Sequence, residues 1–206
     1  WPQDASSCSV IVHGDLIYVN PSNGVDLSPT HIPSPQVPTI IALDKKTGKL
    51  VAADEEKIGP TLFHGTWSSP SLVEVNGKKL LLFGAGEGFC YAFDPTPVEV
   101  PGKPLKVLKT VWKCDANPPE YKKDKTGKLI KYPDAEGPSE INATPVFWKN
   151  RIYIATGKDH DDVVKWVKFS GVSWMKDGSG FFYSRYDEPK AGAALTQKNE
   201  FHKLCF

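Results

Sequence analysis

Short apolar runs separated by polar turns dominate the first three-quarters of the chain. One phrase recurs there: a small residue, an apolar run, a polar turn and a second apolar run. Its copies begin at Ser9, Ser69 and Thr144. Short apolar runs bounded by Gly, Asn and Pro are typical of β-strands joined by hairpins. The phrase therefore predicts the same two-stranded unit at three places.

A second phrase lies between these copies. Residues 39–51 read as a strand, a turn and another strand, and Gly48 stands at the tip, where the backbone needs a positive φ. Residues 89–95 repeat the Ala-x-Asp core of that phrase, and residues 107–112 predict the strand that follows. Two phrases together make about four strands a unit, which is typical of a propeller blade. In such repeats, neighbouring units bury each other's faces.

The copies are spaced more widely than the roughly 40–50 residues of compact blade repeats. The excess is expected in two insertions, residues 20–38 and 117–138, both rich in turn-forming residues. Long loops on a rigid scaffold are where binding sites tend to be built. The pattern therefore predicts a nearly all-β chain whose chemistry lies on its loops.

The composition agrees with a folded chain of many short strands. The 206 residues include 18 prolines and 17 glycines, which supply the turns that such strands require. Aromatic residues make up 11% and charged residues 24%, which argues against disorder. A net charge of +1 gives no reason to expect a nucleic-acid partner. No apolar run approaches the roughly 18–20 residues of a membrane span.

The four cysteines are scattered along the chain, at Cys8, Cys90, Cys114 and Cys205. No Cys-x-x-Cys pair occurs, so the sequence gives little support for a zinc or redox motif. Free thiols in buried strands are the favoured interpretation. A Cys90–Cys114 disulfide in an oxidising compartment is the alternative.

Residues 1–157 resemble the pyrroloquinoline-quinone (PQQ) propellers of the quinoprotein alcohol dehydrogenase-like superfamily. The matching segments are residues 14–19, 41–49, 64–70, 91–94 and 143–146. In that family a Trp after the Ala-x-Asp-x-x-Thr-Gly-Lys block docks between neighbouring blades. Trp112 holds this place after the second block, but residues 51–53 offer only Val-Ala-Ala, so one contact between blades is expected to be weakened. The resemblance implies a propeller and favours a periplasmic or extracellular location.

The same resemblance raises the question of a cofactor. The PQQ dehydrogenases of the family hold the quinone with Ca²⁺ and use a stacking Trp, an Asp base and a vicinal cysteine pair. No adjacent cysteines occur here, and no Asp stands in a recognisable catalytic phrase. We therefore expect no cofactor in this chain, and PQQ with Ca²⁺ only in a complete parent protein.

Residues 158–206 resemble a different family, the N-terminal propeller of prolyl oligopeptidases. Residues 162–178 and 180–189 carry this resemblance, and they predict two strands around a Lys-Asp-Gly turn. The family cuts peptides with a Ser-Asp-His triad in a separate α/β-hydrolase domain, whose nucleophile sits in a Gly-x-Ser-x-Gly elbow. That pentapeptide is absent from this sequence, so we expect no peptidase activity from the chain alone.

The peptidase resemblance implies roles for two residues. Tyr186 matches an aromatic residue that lines the substrate-binding region, and Asp162 matches an acid at the contact between propeller and catalytic domain. For Tyr186 an ordinary aromatic residue at the end of a strand is the alternative. Both roles require the second domain.

Two family resemblances in one chain are unusual, and both ends read as cut. We therefore expect a truncated or chimeric sequence, with PQQ-like blades over residues 1–157 and a prolyl-oligopeptidase-like blade over residues 158–206. A natural domain shuffle is the alternative.

His64 and Trp67 form the most site-like cluster of the first part, because they precede the predicted inner strand of a blade. A His there could bind a ligand or move protons. The alternative is a His hydrogen-bonded to loop backbone. No catalytic or metal-binding residue is assigned.

These observations predict an all-β fold, a partial, open β-propeller of about four blades built from four-stranded antiparallel sheets. The predicted function is a non-catalytic scaffold or a module that binds a small molecule or peptide. One alternative is a fragment of a prolyl oligopeptidase, whose propeller gates access to a missing α/β-hydrolase domain. Another is a fragment of a PQQ-dependent dehydrogenase. The expected partners are that hydrolase domain or further blades, with no nucleic acid and no membrane span.

Overall fold

A computed structural model describes most of the first 156 residues and the backbone of three later strands. The described residues are 8–28, 31–117, 119–124, 126–130 and 140–156, with the backbone of 173–174, 181–185 and 203–205. The chain divides into two compact units, residues 1–158 and residues 159–206.

The secondary structure of the described residues is β-strands with two short 3₁₀ turns. In the first unit the strands are β1 (Ile11–His13), β2 (Leu16–Val19), β3 (Ile41–Asp44), β4 (Leu50–Ala53), β5 (Ser71–Val75), β6 (Lys78–Gly84), β7 (Phe89–Phe93), β8 (Lys106–Val107), β9 (Thr110–Asp115), β10 (Val146–Trp148) and β11 (Arg151–Tyr153). In the second unit they are β12 (Ser173–Trp174), β13 (Phe181–Arg185) and β14 (Lys203–Cys205). The 3₁₀ turns span Gly59–Thr61 and Pro119–Lys122.

Two sheets carry the predicted four-strand repeat. In the first sheet β1, β2, β3 and β4 pair antiparallel in chain order, and in the second sheet β5, β6, β7 and β9 do the same. Gly48 has a φ of +68° at the β3–β4 turn, as the sequence predicts. The two Ala-x-Asp cores both fall on the third strand of a sheet, which confirms that the two phrases are equivalent.

The connection from β7 to β9 departs from the sequence prediction. Residues 107–112 were expected to form one strand, but the structure divides them between β8 and β9. Strand β8 leaves its own sheet and pairs parallel with β4 of the first sheet. The Leu108 N–H donates to the Ala53 carbonyl at 3.0 Å. The division occurs because Val107 and Leu108 are buried against the first sheet.

Both faces of the second sheet are buried, as expected of a blade between two others. Successive strand residues point to opposite faces. Leu81 and Phe83 of β6 join the main core, which also includes Tyr18, Ala42 and Ala52 of the first sheet. Leu80 and Leu82 face the other way and form a smaller cluster, against which Trp112 and Ile152 pack.

The two sheets differ at the position that follows their Ala-x-Asp blocks. Trp112 lies opposite Ala92 in the second sheet, and Ala52 lies opposite Ala42 at the same register position of the first. Trp112 packs against the smaller cluster, which also contacts Ile152 of β11. Ala52 is fully buried in the main core, and Leu108 at the end of β8 is buried in the same core. The crossing strand β8 therefore adds apolar side chains to the core beside Ala52.

The third copy of the opening phrase also forms a hairpin. Strands β10 and β11 pair antiparallel around Lys149 and Asn150, which both have positive φ. Val146, Trp148 and Tyr153 lie on one side of this hairpin and are 55%, 51% and 42% exposed. This side of the hairpin is therefore apolar and partly exposed.

The second unit has three described strands, with β13 pairing antiparallel to both β12 and β14. The pairing of β12 with β13 confirms the two strands predicted there. Tyr186 and Asp162 lie outside the described residues. The predicted fold class, an all-β partial propeller made of antiparallel sheets, is confirmed. Within the described residues, no helix is long and apolar enough to cross a membrane.

Tyr18 ties the first sheet to the β7–β8 connection. Its side chain is fully buried, and its hydroxyl donates to the Pro95 carbonyl at 2.5 Å. Burial, with the nearby charge of Asp94, raises the pKa of Tyr18 to about 12. We expect Tyr18→Phe to lower the free energy of unfolding by roughly 1–2 kcal/mol, because the Pro95 carbonyl loses its donor. Urea denaturation measures this loss.

The matched control is Tyr153→Phe, which removes a hydroxyl from an exposed strand position. It should change stability by no more than about 0.5 kcal/mol. Equal stability of Tyr18→Phe and the unmodified chain would show that the buried hydrogen bond contributes nothing.

Candidate ligand-binding site

The candidate site begins with two loops that hold each other in place. The first joins β2 to β3 and the second joins β4 to β5. Asn20 donates from Nδ2 to the Thr66 carbonyl at 2.9 Å, and the Thr66 N–H donates to the Asn23 carbonyl at 3.1 Å. All three residues are buried. Because their polar atoms are paired within the protein, the predicted insertion at residues 20–38 is anchored to the fold at its start.

Close backbone contact between these loops requires glycine. Gly24 and Gly65 form an antiparallel bridge, and the Val25 N–H donates to the His64 carbonyl at 2.7 Å. A Cβ on Gly24 would lie 2.6 Å from the His64 carbonyl oxygen. This contact fixes the backbone on which His64 stands.

The structure brings together His64 and Trp67, the pair that the sequence predicts for a site. Their ring centroids are 5.1 Å apart with the planes tilted by 56°. Both side chains are half-buried. A Cβ on Gly65 would lie 2.7 Å from Trp67 Cζ2, so this glycine allows the indole to fold back toward the His. The ligand-binding role of the pair stays a prediction.

A buried carboxyl group lies in the tight turn beside this loop. Glu87 stands between Gly86 and Gly88 at the β6–β7 turn and is 4% exposed. The Tyr91 hydroxyl donates to Glu87 Oε1 at 2.6 Å, while Oε2 has no hydrogen-bond partner among the described residues. Burial raises the pKa of Glu87 to about 7, despite the hydrogen bond from Tyr91. The group is therefore largely neutral below that pH.

The turn that carries Glu87 packs directly on the loop that carries His64. The Phe63 N–H donates to the Gly86 carbonyl at 3.3 Å. A Cβ on Gly86 would lie 2.0 Å from the Gly65 carbonyl oxygen. The acid and the aromatic pair therefore stand on adjoining backbone.

An ion pair extends the polar contacts from Tyr91 toward the first sheet. Lys113 Nζ lies 5.7 Å from the Tyr91 ring centroid and 2.8 Å from Glu56 Oε2. The Thr110 hydroxyl donates to Glu56 Oε1 at 2.6 Å. Burial opposes the charge of Glu56, but the hydrogen bonds from Lys113 and Thr110 outweigh it and lower the pKa of Glu56 below its ordinary value.

Asp54 ends this chain of polar contacts. Its Oδ2 accepts the backbone N–H groups of Thr39 and Ile40 at 2.7 and 2.8 Å, and its Oδ1 accepts that of Glu56 at 3.1 Å. Burial raises the pKa of Asp54 even against these three hydrogen bonds. The carboxyl group fastens the start of β3 to the residues after β4.

The buried acid Glu87 and the pair His64 and Trp67 have different access to solvent. Glu87 has a pKa suited to proton transfer at neutral pH, but it is too buried to touch a substrate. Its hydrogen bond from Tyr91 lies within the second sheet, and Lys113, beside the Tyr91 ring, pairs with Glu56 across to the first sheet. His64 and Trp67 are half-buried, so part of the surface of this pair is exposed.

A Ser, a His and an acid do meet elsewhere, but not in catalytic order. The Ser28 hydroxyl donates to Asp26 Oδ1 at 2.5 Å, and His31 Nδ1 lies 2.7 Å from Asp26 Oδ2. Hydrogen bonds from Ser28 and His31 hold the pKa of Asp26 well below its usual range. In a catalytic triad the imidazole stands between acid and hydroxyl, whereas here the carboxylate does. The cluster orders an exposed loop and does not activate the Ser28 hydroxyl.

The described residues contain no group of three His, Cys, Asp or Glu side chains placed to hold a metal ion. Sequence reasoning missed Glu87 and Asp54, because isolated acids are usually exposed. Two sequence features could have indicated them: Glu87 is flanked by two glycines, and Asp54 directly follows a strand.

Comparisons with known proteins point to one family for the last quarter of the chain. The model of the prolyl oligopeptidase N-terminal β-propeller domain matches residues 149–206, which include β11 and the strands of the second unit. Prolyl endopeptidases from Elizabethkingia meningoseptica and Elizabethkingia miricola are each 40% identical over 83 residues. The match covers 40% of this chain and 11% of each relative. No solved structure matches the chain significantly.

Proposed function

We propose that this chain is a non-catalytic β-propeller module, and that its last quarter is of the kind that serves a prolyl oligopeptidase-type serine peptidase. The observation that carries the proposal is the family match over residues 149–206. The matched family is a propeller domain, so the similarity concerns the part that accompanies the catalytic centre. The antiparallel sheets of both units support this assignment.

The polar groups of the first unit also support a scaffold role. Glu56 joins the two sheets through Thr110 and Lys113. Asp54 binds the backbone beside the first sheet, whereas Glu87 is bound by Tyr91 within the second. The contact between His64 and Trp67 leaves a partly exposed surface on the adjoining loop. A scaffold with one aromatic binding surface is the function that this arrangement supports best.

The names of the two relatives describe peptidases that act at proline. For this chain we propose a contribution to substrate access, made together with an α/β-hydrolase domain supplied by a parent protein. Tyr186 would line the path of the peptide and Asp162 would contact the hydrolase domain. Both assignments follow from the resemblance and await the complete partner.

We propose that the module works without PQQ or Ca²⁺. The family match does not include residues 1–148, so the quinoprotein resemblance of residues 1–157 stays a prediction. The sequence lacks the vicinal cysteine pair of the cofactor-bearing enzymes, which favours a cofactor-free role.

The proposal is tested by incubating the purified chain with a blocked Gly-Pro-p-nitroanilide substrate. We expect no release of p-nitroaniline above buffer, because a propeller lacks its own activated nucleophile. A parallel assay adds PQQ and Ca²⁺ and follows dye-linked alcohol oxidation, which should also stay at background. Release that disappears after treatment with a fluorophosphonate would overturn the non-catalytic assignment, and quinone-dependent dye reduction would favour a dehydrogenase.

Binding of a proline-containing peptide tests the aromatic surface in the same preparation. Trp67→Ala should weaken binding at least several-fold in calorimetry, while Trp148→Ala, an exposed Trp on β10, should leave it unchanged. Equal binding by both variants would remove His64 and Trp67 from the proposed site.

A further inference from the structure

We propose that Cys90 and Cys114 form a reversible disulfide, which makes them a redox modification site within the second sheet. Strands β7 and β9 pair antiparallel, and Cys90 stands directly opposite Cys114. The two thiols are free in this structure. Sequence spacing alone left this pairing as one alternative, whereas the strand register places the two residues together.

The backbone geometry of the pair suits a disulfide without strand movement. Directly opposite residues of an antiparallel pair have Cα atoms about 4.5 or 5.5 Å apart, and their side chains share one face of the sheet. A disulfide requires a Cα separation of about 4.4–6.8 Å. The ladder continues on one side of the pair, where the Ala116 N–H donates to the Gly88 carbonyl at 3.0 Å. The register is therefore held next to the pair.

The environments of the two sulfur atoms differ. Cys90 is 1% exposed, whereas Cys114 is exposed. Burial, with the neighbouring Cys114, raises the pKa of Cys90 to about 12. Cys114 is therefore the thiol that a dissolved oxidant reaches first, and Cys90, directly opposite on β7, is the thiol placed to capture the oxidised sulfur.

The chemistry balances with a hydroperoxide as the oxidant. The Cys114 thiolate attacks hydrogen peroxide and the O–O bond breaks; with the proton released by the thiol, the products are a sulfenic acid and one water molecule. The Cys90 sulfur then attacks Cys114 Sγ, the S–O bond breaks, and the hydroxyl group leaves as a second water with the Cys90 proton. Two thiols lose two electrons in total and the peroxide gains them. A thiol reductant reverses the change by disulfide exchange.

Other uses of these thiols fit the surroundings less well. A structural zinc site needs four ligands, and the described residues hold no group of three candidate ligands. Cys8 lies elsewhere in the fold, where its Sγ contacts the Asn20 carbonyl at 3.1 Å. The opposed pair on β7 and β9 is the arrangement that two-electron oxidation would join.

The Cys90–Cys114 disulfide would constrain the segment between β7 and β9 as well as the two strands themselves. Residues between Cys90 and Cys114 include β8, which is paired with β4 of the first sheet. Closing this segment reduces the freedom of the unfolded chain. Oxidation should therefore stabilise the first and second sheets together, and we expect a rise in melting temperature of about 5–10 °C.

The experiment uses the full chain, reduced, desalted and treated with stoichiometric hydrogen peroxide. Remaining thiols are alkylated, and a tryptic digest is analysed by mass spectrometry. Since Lys113 precedes Cys114, the two cysteines fall on different peptides. We expect these peptides to be joined within one chain, released by dithiothreitol, and we expect Cys8 and Cys205 to be alkylated.

Variants separate the proposed pair from general oxidation. Cys8→Ser/Cys205→Ser should keep the cross-link and the rise in melting temperature. In Cys90→Ser, Cys114 should proceed to sulfinic or sulfonic acid, because no thiol captures the sulfenic acid. Over-oxidised Cys114 beside an alkylated Cys90 in the unmodified chain would overturn the proposal. So would a link between two chains, or a link from Cys90 to Cys8.

Discussion

Replacing Glu87 by Gln should stabilise the protein at pH 8 by about 3 kcal/mol and leave its stability at pH 4 nearly unchanged. The carboxyl is buried, and its pKa is raised from 4.5 to about 7. Because the folded state raises this pKa, the neutral Glu87 contributes fully to the free energy of unfolding below pH 4.5. That contribution is lost as pH rises through 7 and the buried carboxyl ionises. A shift of one pKa unit corresponds to about 1.4 kcal/mol, which sets the size of the effect.

Gln suits this test because it keeps the carbonyl oxygen that accepts the Tyr91 hydroxyl and cannot ionise. Urea denaturation at pH 4 and pH 8 gives the two free energies of unfolding. The control is Glu74→Gln on β5, an exposed position, which should change stability by no more than about 0.5 kcal/mol at either pH. A destabilised Glu87→Gln at pH 8 would mean that the ionised carboxylate has a buried partner that this structure does not show.

Truncating Phe83 should produce the largest loss of stability. Phe83 lies on β6 in the main core between the first and second sheets and is fully buried. Its removal by Phe83→Ala leaves a cavity that two paired sheets cannot close. The expected loss is about 3–5 kcal/mol in the free energy of unfolding. Chemical denaturation, monitored by circular dichroism, measures it.

Two variants make the origin of that loss clear. Phe83→Leu fills part of the cavity and should cost roughly half as much. Val12→Ala shortens an apolar strand residue that is 54% exposed on β1, and its effect should stay below about 1 kcal/mol. If Phe83→Ala and Val12→Ala proved equally mild, the two sheets would not share the core described above.

The strands of this protein were predictable because their apolar runs are short and bounded by turn residues. Gly48 and the Asn76-Gly77 pair have the positive φ values that their turns require. The course of the β7–β9 connection was not predictable in the same way. From the sequence, Val107 and Leu108 belong to the same strand as Trp112. Only the packing of the two sheets shows that they lie against the first sheet instead.

In the candidate site too, contacts between residues close in sequence were predictable, and contacts between distant segments were not. His64 and Trp67 are close in sequence and a glycine lies between them, so local reasoning found their contact. Glu56 is bound by Lys113 of the second sheet, and Glu87 lies in a turn of that sheet that packs on the loop carrying His64. Their burial depends on how separate loops pack, which composition and spacing do not encode.

The crossing strand β8 also sets a limit on how this architecture can be recombined. The first sheet takes its outermost strand from a segment that lies between two strands of the second sheet. A gene breakpoint in the β4–β5 loop would separate β4 from β8. One encoded protein would lack β8, and the other would contain β8 without the β4 strand that it pairs with. Recombination between homologous genes is therefore expected to transfer these two four-stranded repeats together.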